Sequence, residues 1–196
     1  MSQLDVIDEL VGSPLELRKR RPITKDQAQK SYEALFSNVK DRDFSLQGRF
    51  VIATFVSRLH GFEKAIKFYE NELKKLQPDW VEVIQEAADF AKSTGPFGSY
   101  PDGPLTKENT SGKTWNADAK VKNSLGEKLA AALTHSHLLV FHPRDCEAHH
   151  LEALKQAGWS NDEIVTLSQL VAFLSFQLRL SLGLKVLAEK KEAKER

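Results

Sequence analysis

Thr134–Leu187 reads THSHLLVFHPRDCEAHHLEALKQAGWSNDEIVTLSQLVAFLSFQLRLSLGLKVL and carries most of the chain's reactive side chains. The stretch holds the only cysteine, Cys146, and five of the six histidines: His135, His137, His142, His149 and His150. Proline is accommodated in a first helical turn, where its missing N–H is not needed, so Pro143 predicts a helix start. That puts Cys146 in or just after the first turn, where exposed N–H groups and the helix dipole favour a thiolate. His150, four residues on, is then expected on the same face about one turn later. A thiol with an imidazole beside it is a candidate for redox or nucleophilic chemistry. Gly158 predicts the end of this helix, and Ser160 with Glu163 a capping box for the next.

The residues Cys146-Glu-Ala-His-His150, with Leu154, Gly158 and a long following helix, resemble the alkylhydroperoxidase D-like and carboxymuconolactone decarboxylase (CMD) family. The stretches GPFGSYPDGPL, LAAALTHSHLLVFHPRD and VTLSQLVAFLSFQLRL are similar to its CMD-domain subfamily, and the likeness runs from about Asp26 onward. Redox members carry C-x-x-C-x-x-x-H. Cys146 falls on the second cysteine and His150 on the histidine, whereas Pro143 stands at the first cysteine. The family's relay glutamate falls on Ala131, with Glu127 one turn earlier as a substitute. The resemblance thus implies an all-α, alkylhydroperoxidase D-like fold, homo-oligomeric, with Cys146, His150 and Glu127 as catalytic candidates. It implies an antioxidant peroxidase that needs no cofactor, restored by an external thiol reductant or a cysteine of another chain. The alternative is a helical scaffold or interaction subunit that has lost the redox pair, working with a sister protein that keeps both cysteines. The lactone decarboxylation that names the family lacks a set of residues to hold a carboxylate and deliver a proton, although Gln177 and Arg179 are possible anion contacts.

A competing reading is a metal site drawn from His142, Cys146, His149 and His150, since all four are ligand types. No C-x-x-C or H-E-x-x-H motif accompanies them, and His135 and His137, two apart on a helix, point different ways.

At 196 residues the chain can bury a good core. A formal net charge of +1 supplies no global field for nucleic acid or an anionic membrane. One cysteine excludes an internal disulfide framework and suits a reducing cytoplasm. The N-terminus, MSQLDVIDELVG, lacks the basic region and apolar run of a signal peptide. Ile164–Leu184 is apolar enough to suggest a membrane span, but Ser168, Gln169, Ser175, Gln177, Arg179 and Ser181 interrupt it. A soluble cytoplasmic protein is expected.

Along the rest of the chain, a short helix at Leu4–Val11 stops at Gly12-Ser13-Pro14. The basic run Arg18–Arg21 is expected to be a solvated loop pairing with nearby acids. Thr24 and Gln27 predict a capping box opening a helix to Phe36, with Asp41–Asp43 as the following turn. Apolar residues at three- and four-residue steps predict helices over Ser45–His60, Phe62–Leu76 and from Pro78, then a single one over Asp118–Val140. Four of the ten glycines and three of the seven prolines fall in Gly95–Gly112, so that segment is a long loop, functional or merely connecting. Ser45-Leu46, Arg49-Phe50 and Ala53 match Ser124-Leu125, Lys128-Leu129 and Ala132 at an offset of 79, a weak internal repeat. The expected organisation is a helical half at 1–94, a connecting loop at 95–117 and a helical half at 118–196, packed as one domain. The last helix, from Asn161 to about Ala188, is apolar nearly all round, so part of it is expected to meet another subunit.

Overall fold

Ser45 sets the start of a central, deeply buried helix. Its side chain accepts the Gly48 N–H at 3.2 Å, and Gly61, at φ 71°, ends the helix fifteen residues on. The computed structural model describes residues 5–12, 14–37, 39 and 44–194, the last four of these by backbone alone. The described residues form α1 (Val6–Val11), α2 (Pro22–Phe36), α3 (Leu46–His60), α4 (Glu63–Leu76), α5 (Trp80–Ala91), α6 (Ala119–Leu125), α7 (Glu127–Phe141), α8 (Ala148–Gln156) and α9 (Asn161–Lys194). Apart from short 3-10 turns, the only other pairing among them is one isolated antiparallel bridge, Gly98 to Thr110. The chain is all-α.

Helix α3 is buried on all sides, with Val51, Ile52, Ala53, Phe55 and Val56 fully enclosed. It packs against α4, α5, α7 and α9, and α9 also rests on α1 and α7. Three helices, α3, α7 and α9, therefore make the centre, with α4 and α5 outside α3, and α6 and α8 on α7. Asn161–Lys190 is long and apolar enough to cross a membrane by length and composition. Here Leu167, Leu170, Val171, Leu174 and Leu178 form its core stripe, and Val165, Phe176, Leu182, Val186 and Leu187 remain exposed.

Several local expectations are corrected. Helix α2 opens at Pro22 with Arg21 at the cap, not at a Thr24 box, because proline presets the first turn. Arg18 is not solvated: it is 6% exposed and ion-paired with Asp5 and Asp8, which Lys25 also reaches. Asp5 in turn caps α1 through the N–H groups of Ile7 and Asp8. The expected single helix at Asp118–Val140 is two, broken by Gly126 at φ 84°, a conformation that favours glycine. The expected turn at Asp41–Asp43 lies outside the described residues.

The Gly95–Gly112 loop is held down on the turn that follows α7. Phe97 N–H donates to Phe141 O at 2.6 Å, and Ser99 N–H to Asp145 Oδ1 at 3.1 Å. Arg144 lies over the Tyr100 ring, 4.3 Å from its centroid, and donates to the Tyr100 hydroxyl and to Gly98 O. Two glycines permit the contact. A Cβ at Gly98 would stand 2.7 Å from Asp145 Oδ1, and one at Gly112 would stand 2.2 Å from the Phe97 ring.

Candidate functional site

A run of small residues leaves room between α7 and α8. Ala130, Ala131, Thr134, His135 and Leu138 share one face of α7, at steps of three and four. Opposite them α8 presents His149, His150, Ala153, Leu154 and Ala157 follows, while Asn116, Ala117 and Lys122 close the third side; together they line a cleft of about 660 Å³. Alanine against alanine cannot fill the space between two helices, and the cleft is what remains.

Neighbouring bonds hold this wall in place. Thr134 Oγ1 accepts the Ala117 N–H at 3.0 Å, fixing the strand of chain before α6. Helix α8 ends with Gly158 at φ 94° and the Trp159 N–H on Leu154 O, a tight reversal that suits glycine. The Ser160–Glu163 box forms in both directions, at 2.7 and 3.3 Å, as expected. Glu163 also binds Lys128, and Trp159 Nε1 donates to Lys128 O, so the start of α9 is tied to the start of α7.

Cys146 is placed differently from expectation. Pro143–Asp145 forms a short 3-10 turn, Cys146 is extended at φ −72° and ψ 118°, and α8 starts only at Ala148. The cap of α8 is Glu147, whose carboxylate accepts the His150 backbone N–H while its own N–H donates to His150 Nδ1 at 3.0 Å. This reciprocal box outcompetes Pro143 as the start signal, because it satisfies two of the N–H groups a helix start leaves bare. The thiol therefore lies ahead of the helix rather than in its first turn. It is half-buried, and burial pushes its pKa up instead of down. Cys146 does not line the cleft, although the helix it precedes carries His149 and His150 into it.

The histidines divide into distinct jobs. His137 faces α5 and bonds Ala91 O at 3.0 Å. His142 stands between Lys113 O and Asp145 Oδ2, at 3.0 and 2.9 Å, so both its ring nitrogens are engaged. His149 is exposed, 3.3 Å from the Glu147 carboxylate, with its ring 3.8 Å from that of His150. His150 uses Nδ1 as acceptor, which leaves the proton on Nε2. His135 is 4% exposed, lines the cleft, and has no partner on either ring nitrogen. Burial, then the nearby His150, lowers its pKa to about 4, so it is neutral at pH 7.

The set His142, Cys146, His149 and His150 is not gathered around a common point: His142 and His150 turn nitrogens to other groups, and no cluster of three or more such residues with metal-holding geometry occurs among the described residues. Glu127 does line the cleft, but at its exposed rim, where it pairs with Lys122 at 3.3 Å. Gln177 is fully buried and accepts the Tyr69 hydroxyl, so it is closed to an external anion. The residue missed by the sequence reading is His135. Its signal was there, a histidine on a face of small residues, but a lack of partners is visible only once the neighbours are placed.

Comparison with protein-family models, with curated proteins and with solved structures finds no match for this chain.

Proposed function

We propose that this chain is a one-cysteine thiol peroxidase of the alkylhydroperoxidase D-like kind. What supports the reading is the juxtaposition of a free, half-buried thiol with the helix that brings His149 and His150 to a ligand-sized cleft. In this scheme Cys146 loses its proton to solvent, its thiolate attacks the terminal oxygen of a hydroperoxide and the O–O bond breaks. An alcohol leaves, taking the proton that His150 Nε2 supplies, and Cys146 becomes a sulfenic acid. One molecule of an external thiol then condenses with it, releasing water. A second frees Cys146 and carries away the disulfide. Glu127, at the rim, is the candidate for returning protons to His150. Because the thiol pKa is raised, turnover should climb as pH rises through and beyond the ordinary thiol range. The test is consumption of cumene hydroperoxide with dithiothreitol, comparing wild type with Cys146→Ser. Equal rates would end the proposal.

A second reading, a non-catalytic helical scaffold or interaction subunit, is favoured by one specific observation. Ala131 puts a methyl group on the cleft wall where the resemblance expects a relay glutamate. A Cys146 that resists iodoacetamide until the protein is unfolded would select this reading. Both readings include a homo-oligomer formed through the exposed apolar residues of α9, and a reducing cytoplasm in which a lone thiol persists.

A further inference from the structure

We infer that the α7–α8 cleft is a binding site for an uncharged hydroxy compound with an apolar body, and that His135 is the residue that holds the hydroxyl. The inference needs no chemistry at Cys146 and stands whether or not the thiol is reactive.

The starting point is His135. A buried polar atom without a partner gives up its hydration with nothing in return, and this ring has two. The imidazole sits on the wall of a cleft of about 660 Å³, within the size range of small-molecule sites. A hydroxyl both donates and accepts. It can therefore satisfy the ring nitrogen it meets in either tautomer, where a carbonyl suits only the N–H and an ether only the same.

Charge and lining narrow the class further. Burial keeps His135 neutral, with a pKa of about 4, so the ring offers no cation to an anionic ligand. At the rim, Lys122 and Glu127 pair with each other at 3.3 Å and cancel. His149, also at the edge, faces Glu147. Ala117, Ala130, Ala131, Leu138, Ala153 and Leu154 supply the apolar wall. A carboxylate or phosphate would lose hydration here without meeting a free counter-charge. An alcohol or phenol carrying a compact hydrocarbon loses little water and gains both the wall and the imidazole.

The test uses full-length protein with ¹⁵N-labelled histidine, titrated with 2-phenyl-2-propanol, with its hydroxyl-free analogue cumene, and with benzoate. The expected result is saturable binding of the alcohol with a shift of the His135 ring nitrogens, weaker binding of cumene, and none of benzoate. His135→Leu, which keeps apolar volume, should weaken the alcohol about tenfold and leave cumene unchanged. Ala131→Leu, filling the cleft while keeping the imidazole, should abolish both. If His135→Leu does not fold, the wild-type nitrogen shifts and Ala131→Leu decide the matter. Alcohol binding retained in Cys146→Ser separates this inference from the thiol chemistry. No saturable alcohol binding, unchanged His135 shifts that mark water as the only occupant, or benzoate bound more tightly than the alcohol would overturn it.

Discussion

Removing the Arg18 guanidinium would strand Asp8, which is only 2% exposed and keeps Lys25 alone as a counter-charge. Breaking a buried pair from one side costs roughly 3–5 kcal/mol, and the remaining lysine should hold Arg18→Met to the lower end. Urea unfolding of this variant reads the loss directly. The basic run was legible as a partner for acids, but not which arginine turns inward, since the choice depends on how α1 and α2 meet. Three imidazoles give a second prediction. His60, His135 and His137 each have a pKa lowered to about 4, by burial first in every case. The unfolded chain therefore takes up these protons sooner as pH falls from about 6.5. Their stabilisation is complete above that value and is lost as pH drops towards 4, with each contributing on the order of 1–3 kcal/mol. The urea midpoint should be flat from pH 8 to 7 and fall steeply below about 6.5. A midpoint that falls only below about pH 4, where carboxylates titrate, would contradict the assignment.

Helix periodicity carried most of the elements. The inward Ile66, Tyr69 and Leu73 of α4, and the stripe Ile164, Leu167, Val171, Leu174 and Leu178 of α9, are buried as their spacing requires. The boundaries were harder, and for a common reason. Gly126 acts through its backbone angle, the Glu147–His150 box prevails over the start signal at Pro143, and Pro22 prevails over the box expected at Thr24, so local signals of similar strength win at one place and lose at another. On α9 the remaining apolar face makes its own prediction. Phe176 is 45% exposed and Leu187 54%, and Gly183 has open space where a side chain would stand. A second copy packing there would bury that face at little cost in side-chain entropy. Phe176→Glu should then shift the species seen by sedimentation towards the monomer while leaving the thermal midpoint of the monomer within a degree or two. A wild-type chain that sediments as a monomer at micromolar concentration would remove the α9 interface.

In the whole molecule, α3–α4–α5 and α7–α8–α9 follow one another in the same order, and α8 is the shortest of the six. That shortness comes from the turn at Pro143–Asp145, and the long loop rests on this same turn. Sequence could mark Gly95–Gly112 as a loop but not its seat, because its anchors are backbone groups and an arginine more than forty positions away. Gly112→Ala should drive the new methyl into the Phe97 ring and loosen the seat, with faster cleavage by a non-specific protease between residues 95 and 112 as the measurement. The seating has a consequence for kinetics. Phe97, Gly98 and Ser99 are fastened to Phe141, Arg144 and Asp145, and Cys146 is the next residue along. Loop and thiol then form a single cooperative opening unit. Deuterium uptake at the amides of Phe97 and Gly98 should report the same opening free energy as the slow phase of Cys146 alkylation, and Gly112→Ala should lower both together.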